Sequence, residues 1–138
     1  MQHRTKRDLA LIHLVSEYET KLQQGDVGYF DERDYFQLIY YFRTEHRLDK
    51  AIEAADIALE QYQFRADFYL LKARLLLEND EAEEALELCE QAELISPTEM
   101  DVQLTIVMAL IDLERYSDAL DILQRLDQGL SIEDRIEI

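Results

Sequence analysis

The sequence predicts an all-α fold, a helical solenoid of three helix-turn-helix repeats of 34 residues preceded by an N-terminal helix. Three observations lead to this fold class. Alanines recur at intervals of 34 residues, apolar residues follow the 3.6-residue period of a helix, and the 138 residues include only three Gly and one Pro. So few turn-forming residues argue against a β-sandwich or barrel, which needs a turn every ~8–12 residues.

The composition narrows the class of protein and its partners. Apolar residues make up 48% of the chain, enough to bury a core, and the net charge is −17. A polyanion repels nucleic-acid phosphates and anionic membranes, so we expect neither as a partner. The single Cys fits a reducing compartment. Because no signal-peptide pattern or membrane-spanning segment stands out, we expect a cytoplasmic protein with a single domain over residues 1–138.

The first 31 residues lie outside the repeat and predict a helix of their own, from about residue 7 to residue 23. Gly25 follows this segment and is expected to end the helix. Since the terminal repeats of a solenoid expose an apolar side, we expect the helix to cap the first repeat. Its apolar face, at spacings i, i+3, i+4, i+7 and i+11, consists of Leu11, Leu14, Val15, Tyr18 and Leu22.

The three repeats cover residues 32–65, 66–99 and 100–133. Their register is set by three alanines, each followed by a branched aliphatic residue: Ala51, Ala85 and Ala119. Within each repeat two segments with helical spacing of apolar residues flank a short polar break, so each repeat reads as two helices.

Two local signals mark where helices of the repeats begin and end. Asp31 is predicted to cap the first helix of the first repeat, with Phe30 packing on Tyr35. Pro97 lies near the end of the second repeat, before the third repeat begins, where a helix must stop.

The C-terminal segment predicts one more helix. Gly129 is expected to end the last helix of the third repeat, and the stretch from Ser131 to Asp134 to begin another. The chain would then end where a further helix gains length. We therefore expect either a homodimer contact or a continuation of the array at this end, as in an N-terminal fragment of a longer protein.

A helix-turn-helix repeat of 34 residues resembles the tetratricopeptide (TPR) repeat, and the resemblance covers about three quarters of the chain. The second repeat carries the pattern best: Tyr69-x2-Lys72-Ala73-x2-Leu76, then Ala85-x3-Cys89, Ala92 and Pro97. The resemblance implies a right-handed solenoid and a protein-interaction module. The composition, which is acidic and rich in Tyr, Leu, Glu and Ala, is similar to that of bacterial TPR proteins with longer arrays.

In the TPR family the first helix of each repeat lines a concave groove, and the resemblance implies which residues do so here. The groove positions are Phe36, Tyr40, Arg43, Leu70, Arg74, Leu77, Leu104, Met108 and Ile111. Seven of them are large apolar or aromatic residues, which favours a binding surface for a peptide or helix. The two arginines predict a ligand with an acidic group near its apolar side chain; the alternative is that they only neutralise nearby carboxylates such as Glu78 and Asp67. Coverage by the N-terminal helix, a second copy or a further repeat is the alternative.

No group of residues predicts catalysis, a cofactor or a metal. The carboxylates between residues 80 and 93 fall on a helix face where solvent is expected, and Cys89 occupies an apolar position of the repeat. The three His are scattered. We therefore predict a non-enzymatic protein–protein interaction module or scaffold. A stand-alone secretion-type chaperone and a homo-oligomeric scaffold stay open as alternatives.

Overall fold

The computed structural model describes residues 6–136, and it describes the side chains of residues 6–129. This part of the chain contains helices and loops and no β-strand, so the predicted all-α fold is confirmed. The described helices are α1 (Lys6–Gln23), α2 (Glu32–Thr44), α3 (Leu48–Gln61), α4 (Ala66–Glu78), α5 (Ala82–Ile95), α6 (Met100–Asp112) and α7 (Tyr116–Ile136).

The helices repeat with the period that the sequence predicts. The first helices of the repeats begin at residues 32, 66 and 100, and the second helices at residues 48, 82 and 116, so both series advance by 34 residues. Helices α2 and α3, α4 and α5, and α6 and α7 pack against each other as pairs. The fold is therefore built from TPR-like helix-turn-helix repeats.

The turn inside each repeat is the same Schellman motif. A residue with φ between 58° and 60° follows the first helix of each repeat: His46, Asp80 and Glu114. In the first repeat the amide of Arg47 donates to the carbonyl of Phe42 at 2.9 Å, and the other two turns repeat this bond 34 and 68 residues later. The left-handed conformation is costly for residues other than Gly, so the helix pair must stabilise it.

The chain divides into two compact units, residues 1–63 and 64–138. Unit 1 contains α1 to α3, and unit 2 contains α4 to α7. The expectation of a single domain over residues 1–138 stays a prediction.

In unit 1, α1 packs on α2 through the face that the apolar spacing predicts. Tyr18 and Val15 are buried, and the other three predicted positions are half-buried. The ring of Tyr18 lies 6.1 Å from that of Phe30 and 6.0 Å from that of Phe42. Gly25, with φ 88°, follows the end of α1 as predicted.

The start of α2 shows the predicted cap. The Asp31 carboxylate accepts a hydrogen bond from the amide of Asp34 at 2.8 Å. The ring of Phe30 packs edge-on against that of Tyr35 at 5.9 Å, which is a hydrophobic staple. Both contacts fix the direction in which the chain enters α2.

In unit 2 the core is formed by aliphatic side chains and small residues. Ala85, Cys89 and Ala92 of α5 are completely buried, as are Val102 and Ala109 of α6. Small residues at these positions allow neighbouring helices to approach closely.

The prediction that Gly129 ends the last helix is wrong, and so is the separate helix expected from Ser131. α7 runs without interruption to Ile136, and Gly129 is not among the described residues with positive φ. A glycine inside a helix costs roughly 1 kcal/mol relative to Ala, which flanking helix-forming residues can offset. Within the described residues, no helix combines the length and apolar character needed to cross a membrane.

Candidate functional site

The predicted groove residues of unit 1 lie together on one face of α2. Phe36, Tyr40 and Arg43 follow at spacings i, i+4 and i+7, on the side away from the buried row that begins at Tyr35. Tyr40 is 64% exposed, Arg43 is exposed and Phe36 is half-buried. An aromatic ring therefore stands in solvent beside a guanidinium group.

A cavity of about 420 Å³ lies between α1 and α2, next to this face. Its lining combines an aromatic and an aliphatic residue, Tyr40 and Leu11, with two cationic ones, Arg7 and Arg33. The full lining is Arg7, Asp8, Ala10, Leu11, Arg33, Gln37 and Tyr40. Sequence reasoning missed this cavity because the cavity depends on where α1 crosses α2. The one available signal was the seven-residue spacing of Arg33 and Tyr40, which puts both residues on the same side of α2.

The predicted groove residues of unit 2 separate into exposed and buried ones. Leu104, Met108 and Ile111 lie on one face of α6 and are 41%, 49% and 44% exposed. Leu70 and Leu77 on α4 are buried, so they do not offer surface to a ligand as the groove prediction requires. Arg74, between them on α4, is exposed.

The acidic region of α5 behaves as a solvated surface. Glu83, Glu84, Glu87 and Glu90 are all exposed, and several of them line an open depression with Asp80 and Asp112. Among the described residues, no group of three or more His, Cys, Asp or Glu is placed to hold a metal ion.

Cys89 lies in the core of unit 2 rather than in a reactive setting. Burial raises the pKa of its thiol to about 11, against the opposing effect of Arg74. Only the thiolate is a good nucleophile, so a raised pKa makes this cysteine unreactive at neutral pH.

The paired helices, their 34-residue period and the exposed faces of the first helices together define a TPR-type repeat protein. The sequence model of the family described as Anaphase-promoting complex, cyclosome, subunit 3 matches residues 44–126, more than half of the chain. The chain therefore belongs to this family of TPR-type repeats. No curated protein matches the sequence. The expected bacterial origin stays a prediction.

Proposed function

We propose that this chain is a non-enzymatic interaction module that binds a peptide or helix of a partner protein on the α2 face of unit 1. The observation that carries the proposal is the exposed ring of Tyr40 at the rim of the α1–α2 cavity. Buried tyrosines supply much of the energy at protein interfaces, and an exposed one beside a cavity is a ready anchor. Membership in a TPR-type family supports an interaction role.

The charges around the cavity suggest the chemistry of the ligand. Arg7 and Arg33 line it together with one carboxylate, Asp8, in a chain whose net charge is −17. A cationic spot in an acidic protein selects for an acidic group and excludes basic competitors. The proposed ligand is a segment with an aromatic or aliphatic side chain followed closely by Asp or Glu, in a cytoplasmic partner protein.

Selection from a random peptide library displayed on phage tests the proposal, with the full chain as bait. We expect the selected peptides to combine an apolar residue with a neighbouring Asp or Glu. Tyr40→Ala should weaken their binding at least tenfold in fluorescence anisotropy, because the anchor is lost. Arg33→Glu should weaken it more at low salt than at high salt, because a guanidinium interaction is screened.

Two matched variants control for general effects of the substitutions. Phe64→Ala removes an aromatic ring that is 84% exposed and lies outside α2, and Arg125→Glu reverses an exposed charge of α7. Both should bind the selected peptides as the wild type does. Equal losses in Phe64→Ala and Tyr40→Ala, or selected peptides that ignore Arg33→Glu, would refute the α2 site.

A further inference from the structure

Helices α5 and α7 hold the same place in consecutive repeats of unit 2, and they differ in how they are covered. Ala85 is 0% exposed and its counterpart 34 residues later, Ala119, is 3% exposed. Cys89 is also 0% exposed, whereas its counterpart Leu123 is 40% exposed. α5 packs on both α4 and α6, whereas α7 packs on α6 among the described helices, so the difference arises on the side that would face a following helix.

On α5 that side is covered by α6. The two helices pack together, and the Gln103 side-chain amide donates to the Glu93 carboxylate at 2.6 Å. Beside this contact, Ile106 and Leu110 of α6 and Leu86 of α5 line an open depression to which α7 also contributes. The side of α5 that packs on α6 thus ends in the carboxylate of Glu93, near the start of α6.

The same row recurs on α7, where it is exposed. At spacings i, i+4, i+7 and i+11 it consists of Tyr116, Leu120, Leu123 and Asp127, which we call the α7 row. All four side chains are exposed. Asp127 stands 34 residues after Glu93, the residue that accepts from Gln103.

We propose that the α7 row binds a helix of a partner protein as α5 binds α6. The bound helix runs antiparallel to α7. It carries Ala, Gly or Ser where it meets Leu120 and Leu123, and Lys or Arg in its first turn opposite Asp127. This site is independent of the α2 face, and none of its residues enters the function proposed above.

The large side chains of α7 are the reason why the bound helix is expected to carry small residues. Cys89 and Ala92 let α6 approach α5 closely, while Leu123 and Leu126 stand at the same positions of α7. Interiors pack to a nearly constant density, so larger residues on one side require smaller ones on the other.

The negative charge at the α7 row is the reason why the bound helix is expected to carry a basic residue. It also argues against a second copy of this chain as the partner. Asp127 is exposed at the end of the α7 row, and the exposed carboxylates of Asp112 and Glu114 lie near its beginning in sequence. Two chains of net charge −17 repel each other, and pairing through this row would bring like charges together. A helix with Lys or Arg in its first turn places a complementary charge opposite Asp127 instead.

Binding of synthetic peptides to the full chain tests the proposal by fluorescence anisotropy. The probe is the sequence of residues 99–113 with Gln103→Lys, Ile106→Ala and Leu110→Ala. A second peptide keeps Ile106 and Leu110 and carries only Gln103→Lys. A third carries both alanines and Gln103→Glu. We expect the probe to bind at least tenfold more tightly than either of the others.

Variants of the protein locate the binding and test its charge. Leu120→Ser with Leu123→Ser should weaken the probe at least tenfold, while Leu94→Ser, at a leucine of α5 that is 80% exposed, should leave it unchanged. Asp127→Lys should reverse the preference, so that the peptide with Gln103→Glu binds more tightly than the probe. This reversal does not depend on the leucine variant being folded.

Three results would overturn the proposal. One is a peptide with Ile106 and Leu110 that binds as tightly as the probe, and another is an unchanged preference in Asp127→Lys. The third is a dimer in analytical ultracentrifugation that Leu120→Ser with Leu123→Ser abolishes, because the occupant would then be a second copy.

Discussion

Unit 1 buries the rings of Tyr18, Phe30, Tyr35 and Phe42, whereas the buried residues of unit 2 are mainly Ala, Leu and Val. The rings of unit 1 contact one another at 5.9–6.1 Å between centroids. Nine of the thirteen Tyr and Phe residues lie in unit 1, so the sequence itself accounts for this difference. One repeat plan therefore accommodates two kinds of core.

The two kinds of core need different support. Tyrosines bring hydroxyl groups into unit 1, and burial raises the pKa of Tyr35 to about 12. Side chains of the C-terminal end of unit 1 also hold its loop: Tyr62 donates to the carbonyl of Phe30 at 2.7 Å and Gln61 to that of Gly28 at 2.6 Å. Unit 2 instead depends on close approach of helices at small residues.

The largest expected effect is the difference in stability loss between replacing a buried tyrosine and replacing an exposed one. Tyr18→Ala should lower the free energy of unfolding by about 3–5 kcal/mol, because it leaves a cavity beside the rings of Phe30 and Phe42. Tyr116→Ala, at a residue that is 60% exposed, should change it by less than about 0.5 kcal/mol. Urea unfolding measures both. Similar midpoints for the two variants would mean that the aromatic core does not stabilise unit 1.

A smaller effect is expected from overpacking the core of unit 2. Ala85→Leu should cost about 1–3 kcal/mol, because Ala85 is completely buried between helices. Ala82→Leu on the same helix is the control, since the corresponding positions of the other repeats carry Leu48 and Tyr116. The control should melt within a few degrees of the wild type. An unchanged melting temperature in Ala85→Leu would contradict the register of the repeats.

The helix caps give the next effect in size. α2 has the Asp31 cap, while α6 begins at Glu99 without a side-chain cap bond. Asp31→Ala should therefore cost about 1 kcal/mol, and Glu99→Ser should gain about 0.5–1 kcal/mol, because serine can accept from the first turn. Thermal unfolding followed by circular dichroism measures both. A loss in Glu99→Ser would show that Glu99 stabilises α6 in another way.

The period and the helix pairs could be predicted from sequence because three repeats without insertion place equivalent residues at equal intervals. The turns could not be predicted in detail. Their left-handed residues are His46, Asp80 and Glu114 rather than Gly, so no residue type marks them. At Gly129 the sequence predicted a helix end that the structure does not have. A glycine can also lie inside a helix when the residues on both sides favour the helix.

The candidate site was predictable only at the level of single helix faces. Helical spacing places Tyr40 and Met108 on exposed faces of their helices. It does not predict that Leu70 is buried, because burial depends on what covers a face. The α1–α2 cavity depends likewise on the packing of a helix outside the repeat.

The last expected effect, similar in size to those of the helix caps, concerns alkaline pH and distinguishes the two cores again. The pKa of Cys89 is raised from 9.0 to about 11: burial raises it most, Arg74 lowers it, and Glu90 and Glu93 raise it by smaller amounts. The unfolded chain therefore loses the thiol proton first. The stability that this group contributes is complete below pH 9 and is lost as the pH rises through 11.

For Cys89 alone this loss should reach about 1 kcal/mol at pH 10, while Tyr35, whose pKa rises from 10.0 to about 12, should by then have lost less than half as much and should lose most of its contribution above pH 10. Unit 2 should thus weaken about one pH unit earlier than unit 1. Urea unfolding between pH 8 and pH 10 tests this, with Cys89→Ala and Tyr35→Phe each compared with its own value at pH 8. Between pH 8 and pH 10, Cys89→Ala should make the decline in the free energy of unfolding shallower by about 1 kcal/mol, whereas Tyr35→Phe should change it by less than about 0.5 kcal/mol. A decline that is equally steep in the wild type and in Cys89→Ala would show that the buried thiol does not govern it.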